Sequence, residues 1–440
     1  MTDRRTLNRD ILRLALPALG ALVAEPLFLA VDAAMIGHLG VSELAGLGIA
    51  SAVLTTIVGL MVFLAYSTTP AVARRFGAGD VQGGVSVGID GMWLALAIGA
   101  VLAVAGSFAT PAVVGAFSPA PDVAAAAEAY LGISMWGLPA MLIVFAATGL
   151  LRGLQNTVVP LWIAGAGFTV NALVNWLFIY GFGWGVAGSA AGTVLVQWGM
   201  VAAYVVVVGR LARLHRASVR PQREGVRGSA RSGGWMFLRT VSLRIATLAT
   251  VAVATALGTE ELAGWQVVFT IFSTTAFALD ALAIAAQALV GKALGERDPH
   301  QVRAVLGRTV SWGVWAGVAF GVVIAALSGV IGLVFTGDPA VAAFIQPALL
   351  VLALSQPVAA FVFVLDGVLM GADDARYLAA AGGVNLVPYL PALALLAWLA
   401  PSGPAALAWL AAAYYGVYLL VRGVTLGARI RGTAWMHHDA

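Results

Sequence analysis

The chain has 440 residues, of which 61% are hydrophobic and only 10% are charged, and its formal net charge is +4. A soluble protein of this length needs far more polar surface, so the composition excludes a soluble globular domain and indicates a polytopic membrane protein. The sequence has no cysteine, which excludes disulfides and thiolate metal sites.

The N-terminal sequence MTDRRTLNRD is basic and directly precedes an apolar run at 11–38. A cleaved signal peptide and a twin-arginine signal are the alternatives to a membrane helix here. The run is too long for the apolar part of a signal peptide and contains no convincing small-residue cleavage site. We therefore interpret it as the first membrane helix.

Twelve apolar segments follow one another along the chain, each long enough to cross a hydrocarbon core of about 30 Å at ~1.5 Å per residue. They lie roughly at 11–38, 46–71, 83–107, 124–150, 157–181, 186–212, 235–258, 262–293, 302–328, 340–371, 374–398 and 403–426. The sequence therefore predicts an all-α polytopic membrane protein with twelve transmembrane helices.

The basic residues fix the predicted orientation. If the N-terminus is cytoplasmic, no outer loop contains Lys or Arg, whereas Asp122, Glu260 and Glu261 lie outside. This distribution obeys the positive-inside rule. It predicts a multi-pass protein of the cell inner (plasma) membrane with both termini in the cytoplasm, and it explains the net positive charge without any nucleic-acid partner.

A basic stretch near the middle of the chain separates two predicted halves. It forms a cytoplasmic linker at 213–234, between an N-lobe at 1–212 with helices 1–6 and a C-lobe at 235–426 with helices 7–12. The remaining residues, 427–440, are predicted to be a cytoplasmic tail. The basic character of the linker fits contact with anionic lipid headgroups.

The two halves resemble a duplication. The segment RRFGAGD at the end of helix 2 matches KALGERD at the end of helix 8, 218 residues later, and GLLRGLQN from Gly149 matches GVLMGADD from Gly367 at the same offset. Two pseudo-symmetric six-helix lobes that both start inside are related by an axis along the membrane normal. Transporters built this way bind substrate between or within the lobes.

Several segments together resemble one family. They are VDAAMIGHLG, RRFGAGD, RGLQNTVVP, NALVNWLFIYGFGWGVAGSAAGT, ALDALAIAAQALVGKALGERD and LDGVLMGADDARY. In combination they are similar to the multidrug and toxic compound extrusion (MATE) transporters, and the last is typical of the DinF-like branch. The resemblance implies a V-shaped twelve-helix fold and cation-coupled export of organic compounds, with the proton as the usual coupling ion of this branch.

The first candidate site lies in the predicted N-lobe. A carboxylate at the centre of a membrane helix costs about 2.5–3.5 kcal/mol on insertion scales, so it is rarely kept without a use. Asp32 and Asn175 each lie about six residues from the outer end of their helix, so we expect a hydrogen-bonded cluster of Asp32, Asn175 and Asn171. A purely structural hydrogen bond between helices is the alternative.

Two features qualify this ion-coupling prediction. Family members often carry Asn-x-x-x-Asp in helix 5, whereas here Asn175 stands where the second acid would be. Glu25 lies one heptad before Asp32 on roughly the same face, and Pro26 can kink the helix beside it. Glu25 is therefore a second protonatable candidate, or a lining residue that stays neutral.

The predicted C-lobe carries a second polar network. Asp280 and Asp366 lie in helices 8 and 10, and Arg244 lies in helix 7 at a similar predicted depth. A membrane-buried arginine needs a counter-ion, so Arg244 is expected to pair with Asp366 or Asp280, either as a static pair or as one that breaks during transport.

The substrate cavity is predicted from polar and aromatic residues inside the helices. The candidates are Gln197, Gln266, Gln287, Gln356 and Phe269. Glutamine can line a cavity or join helices, and aromatic rings can stack on flat or cationic compounds. The expected substrates are small organic compounds, chiefly cationic and amphipathic, moved by alternating access in exchange for protons in preference to sodium.

The sequence fits three other functions less well. A membrane-embedded enzyme would need a nucleophile with a base, or a metal cluster, and the five histidines all lie at helix ends, in loops or in the tail. A channel would show a selectivity loop. A lipid-linked precursor flippase of the same superfamily is the nearer alternative, and it would carry more basic residues in its cavity. We therefore expect a monomeric transporter without cofactor, metal or enzymatic activity.

Overall fold

The computed structural model describes residues 4–336, 339–399 and 401–436, and these residues are almost entirely helical. The α-helices are α1 (Arg4–Gly37), α2 (Val41–Met61), α3 (Phe63–Gly77), α4 (Val81–Gly115), α5 (Pro121–Ser134), α6 (Leu138–Gly153), α7 (Val158–Trp176), α8 (Gly185–Leu214), α9 (Arg223–Leu257), α10 (Thr259–Gly295), α11 (Pro299–Thr336), α12 (Pro339–Gly371), α13 (Ala375–Leu399), α14 (Gly403–Ala411) and α15 (Leu419–Arg431).

Short irregular turns join some of these helices into longer spans. A π-helical turn at Leu177–Gly181 extends α7, another at Ala412–Tyr418 joins α14 to α15, and a 3₁₀ turn at Met135–Gly137 joins α5 to α6. Helices α2 and α3, which meet at Val62, also form one span, Val41–Gly77. The described residues then contain twelve helical spans that are long and apolar enough to cross a membrane. The predicted all-α fold with twelve membrane helices is confirmed.

The chain divides into two compact units. One contains residues 16–233, and the other contains the chain up to Ala15 together with the residues from Gly234 onward. The predicted linker at 213–234 is mostly helical, because α8 continues to Leu214 and α9 begins at Arg223. In the predicted tail, α15 extends to Arg431, and residues 437–440 lie outside the described part of the chain.

The duplicated sequence motif begins a helix in both units. The carboxylate of Asp80 accepts a hydrogen bond from the backbone N–H of Gly83 at 2.8 Å, at the start of α4. The carboxylate of Asp298 accepts hydrogen bonds from the N–H groups of His300 and Gln301 at 3.0 Å each, at the start of α11. Such caps satisfy donors that have no partner inside the helix and are worth about 1 kcal/mol each. The repeated aspartates are thus structural.

The second duplicated motif sets helix packing. A Cβ atom at Gly149 would lie 2.8 Å from the carbonyl oxygen of Ala65, and a Cβ at Gly367 would overlap the carbonyl oxygen of Ala283. Both pairs are related by the offset of 218 residues. Glycine therefore permits close approach of α6 to α3 in one unit and of α12 to α10 in the other, as is usual where helices pack in lipid.

Candidate functional site

A buried carboxylate lies at the centre of a hydrogen-bonded cluster in the unit formed by residues 16–233. Asp32, in α1, is 3% exposed. Its Oδ1 accepts hydrogen bonds from Nδ2 of Asn175 in α7, at 2.9 Å, and from Oγ of Ser189 in α8. Its Oδ2 accepts a hydrogen bond from Oη of Tyr130 in α5 at 3.1 Å. Four helices therefore meet at one carboxylate.

The second asparagine joins the cluster through a hydroxyl. Nδ2 of Asn171 donates to Oγ1 of Thr193 at 3.2 Å, and Nδ2 of Asn175 lies 3.3 Å from the same oxygen. The structure thus brings Asp32 into direct contact with Asn175, and Asn171 reaches them through Thr193. We call the set the Asp32 cluster: Asp32, Tyr130, Asn171, Asn175, Ser189 and Thr193.

Regular spacing places these side chains on facing helix surfaces. Asn171 and Asn175 are four residues apart in α7, and Ser189 and Thr193 are four apart in α8, so each pair lies on one face. Gly192 lies directly against Asn175, because a Cβ atom there would overlap the amide Oδ1. The glycine lets the two helices approach closely enough for the amide and hydroxyl groups to bond.

The Asp32 carboxylate is held by neutral donors alone. The ion pairs found among the described residues all lie elsewhere in the chain. Three hydrogen bonds offset part of the cost of burying a carboxylate, but the charge itself has no counter-ion within the described ranges. Such a site favours the uptake of a cation, whether this is a proton or a metal ion.

Two amide oxygens in the same cluster lack a donor. Oδ1 of Asn171 and Oδ1 of Asn175 are buried, and neither has a hydrogen-bond partner among the described residues. A buried acceptor without a donor costs about 1–3 kcal/mol. The Asp32 cluster therefore has acceptor capacity for at least one more donor, such as the O–H of a protonated carboxyl. No group of three or more His, Asp or Glu side chains that could hold a metal ion occurs among the described residues.

The first helix contains two prolines, Pro17 and Pro26, and Pro26 is the nearer of the two to Asp32. Each removes one backbone hydrogen bond and favours a bend. Pro26 lies between Glu25 and Asp32 in the sequence. The side chain of Glu25 lies outside the described residues, so its predicted role as a second protonatable group stays a prediction.

The other unit holds one carboxylate between two arginines. Oδ2 of Asp366, in α12, accepts a hydrogen bond from Arg239 in α9 at 2.8 Å and another from Arg422 in α15. The Arg239 and Arg422 side chains are each 10% exposed, and that of Asp366 is 8% exposed. The two guanidinium groups and the carboxylate thus form one buried ionic cluster, in which mutual attraction offsets part of the cost of burial.

The predicted pairing of Arg244 with Asp366 is wrong. Among the described residues Asp366 forms its ion pairs with Arg239 and Arg422, whereas Arg244 lies half-buried further along α9. The reason is depth, because Asp366 precedes the end of α12 by five residues and Arg244 lies more than one turn beyond Arg239. Asp280, the other partner predicted for Arg244, lies half-buried in α10, and a pair between Arg244 and Asp280 stays a prediction.

The predicted cavity residues have different environments. Gln266 is exposed, and Gln197 is half-buried against Gly137. Gln287 and Gln356 are only 1% and 0% exposed, so they do not line an open cavity in this structure, contrary to the prediction. The reason is close helix packing, since the backbone oxygen of Gln287 abuts Gly371 and that of Gln356 abuts Gly317.

Phe269 belongs to an aromatic cluster that the sequence did not predict. Its ring centroid lies 6.0 Å from that of Trp265, 6.1 Å from that of Phe272 and 6.3 Å from that of Tyr414. Trp265 and Phe272 are buried in α10, and Tyr414 is buried in the π-helical turn before α15. Phe269 therefore packs mainly as part of the core of its unit.

Comparison with known proteins assigns the chain to a family. The MatE family model matches residues 17–177 and 236–395, which together are most of the chain. Protein DETOXIFICATION 44, chloroplastic, of Arabidopsis thaliana is 30% identical over 89% of this chain and 76% of its own length. DNA damage-inducible protein F of Escherichia coli (strain K12) is 26% identical over 98% of this chain and 92% of its own.

Solved structures share the fold at lower identity. The Vibrio cholerae MATE transporter VcmN in the bent form superposes with a TM-score of 0.87 at 18% identity, covering 98% of each chain. A MOP superfamily transporter from Pyrococcus furiosus superposes with a TM-score of 0.86 at 20% identity, covering 98% of this chain and 97% of its own.

Proposed function

Because the chain belongs to the MatE family of multidrug efflux transporters, we propose that it exports small organic compounds in exchange for protons, with Asp32 as the coupling group. Family members are transporters, so the chain is a transporter and not an enzyme. The single observation that supports the coupling role most strongly is a buried carboxylate that neutral donors hold without a counter-ion.

The hydrogen-bond pattern of the Asp32 cluster suits two protonation states. In the ionised state, Asn175, Ser189 and Tyr130 all donate to the carboxylate. In the protonated state, the new O–H needs an acceptor, and the buried Oδ1 of Asn175 can serve if the amide rotates. A second carboxylate at that position could not donate in this way unless it were itself protonated.

Coupling follows from alternating access. Asp32 takes up a proton from outside, α1 bends at Pro26, and the cavity beside the cluster shrinks and expels its substrate. After the return to the inward-facing state, the proton leaves to the cytoplasm. One proton moving inward gains about 2.3 kcal/mol per 100 mV, which supports export against a concentration gradient.

The proposed substrates are cationic and amphipathic. An unpaired carboxylate in a buried site attracts either a proton or an organic cation, and competition between the two produces antiport. The paired arginines make the flippase alternative weaker, because Arg239 and Arg422 share Asp366 and are nine-tenths buried. We propose that the protein acts as a monomer in the inner (plasma) membrane, with both termini and the 213–234 segment on the cytoplasmic side.

The test is dye transport into inverted membrane vesicles with imposed gradients. An acidic lumen should drive uptake of a cationic dye, while a sodium gradient of the same direction and at the same membrane potential should not. Uptake that follows the sodium gradient alone would reject proton coupling, but the proposal that the protein exports organic compounds would stand. Absence of uptake under both gradients, for a panel of cationic, neutral and anionic dyes, would reject the exporter itself.

A further inference from the structure

Two helices pass from one compact unit to the other without a break. The change occurs between Ala15 and Leu16 in α1, and between Gly233 and Gly234 in α9. The two positions are 218 residues apart, which is the offset of the duplicated motifs. The first residues of each of these two helices therefore belong to one unit, and the remainder of the same helix belongs to the other unit.

The start of α9 is fixed to one face of α4. Four side chains of α4, at Gln82, Ser86, Asp90 and Trp93, bond the segment that leads into α9. Their spacing of four, four and three residues places all of them on a single face of the helix. They form hydrogen bonds with backbone groups of residues 216, 218, 222 and 219, respectively. The segment before α9 therefore runs along the surface of α4.

Asp90 makes the most specific of these contacts. Its Oδ1 accepts a hydrogen bond from the backbone N–H of Gln222 at 2.7 Å, and the carbonyl of Gln222 accepts the first helical bond of α9. Asp90 is 0% exposed, and its second oxygen lies so close to Gly225 that a Cβ atom there would overlap it. Only glycine at position 225 allows this approach.

The start of α1 is held in the same way by the other unit. Oδ1 of Asn8 accepts hydrogen bonds from Nε of Arg308 and, at 3.0 Å, from Nε1 of Trp312, both in α11. Arg308 lies 218 residues after Asp90, so the two anchoring side chains occupy equivalent positions of the duplication. Each half of the chain thus holds the start of the other half's first helix.

A weak point lies just after each anchored segment. Pro17 follows the change of unit in α1 and removes one backbone hydrogen bond there. Gly233 and Gly234 lie at the change of unit in α9, where adjacent glycines weaken a helix. A Cβ atom at Gly234 would meet nothing within 4 Å, so packing does not require glycine at this position.

We propose that Asp90 and Arg308 are positioning residues that anchor the starts of α9 and α1, and that the units move about hinges at Gly234 and Pro17. The anchored segments stay rigidly attached while the remainder of each helix moves with its own unit. This inference rests on the proposed function only in assuming that the units move relative to each other during transport.

The hinge is tested by two matched alanine substitutions in α9. Gly234→Ala and Gly228→Ala both add a methyl group in open space and stabilise the helix equally. We expect Gly234→Ala to lower the maximal rate of dye transport several-fold at unchanged KM, and Gly228→Ala to retain the wild-type rate. Equal rates in the two variants would overturn the hinge.

The anchor is tested with the same control. Gly225→Ala introduces a Cβ atom against the Asp90 carboxylate, whereas Gly228→Ala does not. We expect Gly225→Ala to release the start of α9 and lower transport, with Gly228→Ala again unchanged. If Gly225→Ala transports as well as wild type, the anchor has no role in the cycle.

Electron–electron double resonance separates this inference from the proposed function. Because the chain has no cysteine, spin labels can be attached to single cysteines introduced at Ala78, Arg227 and Ala304, which are all exposed. Ala78 and Arg227 lie in the unit of residues 16–233, and Ala304 lies in the other unit. Across pH and dye conditions, the Ala78–Ala304 distance should change and the Arg227–Ala304 distance should change with it, while Ala78–Arg227 stays constant. A changing Ala78–Arg227 distance would overturn the anchor. A constant Ala78–Ala304 distance would instead reject alternating access.

Discussion

Nδ2 of Asn175 lies 2.9 Å from Oδ1 of Asp32, so an amide occupies the position beside the carboxylate where the family resemblance predicts a second acid. The amide donates to the ionised carboxylate and adds no charge of its own. The proposed coupling site therefore contains a single carboxylate, which the rest of the Asp32 cluster orients.

Tyr130→Phe should impair transport more than it impairs folding. Tyr130→Phe removes the hydrogen bond to Oδ2 of Asp32, and a bond to a charged group contributes about 1.5–3 kcal/mol. We expect transport to fall about tenfold or more at unchanged expression. Tyr180→Phe is the matched control, because its hydroxyl bonds the carbonyl of Met35 and not the carboxylate. An equal loss in both variants would mean that the effect is on helix packing.

Gly192 should be essential for the geometry of the cluster. Gly192→Ala would force Asn175 away from its position, since the new Cβ atom overlaps the amide oxygen. Gly199→Ala, in the same helix, adds its methyl group in open space and raises helix propensity by a similar amount, about 1 kcal/mol. We predict loss of dye transport in the first variant and wild-type transport in the second. Transport by Gly192→Ala at the wild-type rate would show that the Asn175 contact is dispensable.

Loss of the Asp366 carboxylate should destabilise the fold more than loss of Arg422, because both arginines pair with this carboxylate. Asp366→Ala leaves two buried guanidinium groups without their carboxylate, and breaking a buried pair in this way costs about 3–5 kcal/mol. Arg422→Leu leaves Asp366 paired with Arg239 and should cost less. Thermal unfolding of the purified protein should rank the variants in that order, with Arg75→Ala as an exposed-pair control within about 1 kcal/mol of wild type. A reversed order would contradict the described pairing.

The proposed topology predicts which introduced cysteines are labelled from outside. Ala230→Cys, at the start of α9, should react with an impermeant reagent only after the cells are opened. Ala120→Cys, between α4 and α5, should react in intact cells, and both positions are exposed. Labelling of Ala230→Cys in intact cells would reverse the assigned orientation.

The sequence predicted the fold well because hydropathy and arginine position are strong, additive signals over twelve segments. It also placed Asp32 beside Asn175, because equal distance from the helix ends implies equal depth. It missed Tyr130, Ser189 and Thr193, because hydroxyl residues are common in membrane helices and carry no depth signal of their own. The spacing of Ser189 and Thr193, which matches that of the two asparagines, was the available clue.

The arginine pairing failed for a related reason. Neither arginine that pairs with Asp366 was predicted as its partner from the sequence, and the predicted start of helix 7 at 235 places Arg239 within the first turns of that helix. In the structure α9 begins at Arg223, so Arg239 lies well inside a helix and reaches Asp366. Small errors in helix boundaries change which charges share a depth, and pairing depends on that depth.

We propose above all that the charge of Asp32 couples transport to the proton gradient. The direct measurement is pH-driven uptake of a cationic dye into inverted vesicles that contain Asp32→Asn at the wild-type amount of protein. Asparagine cannot release a proton and mimics the protonated acid, so the variant should fold normally and lose the uptake driven by an acidic lumen. Uptake by Asp32→Asn with the wild-type rate and pH dependence would contradict the account and transfer the coupling role to another carboxylate.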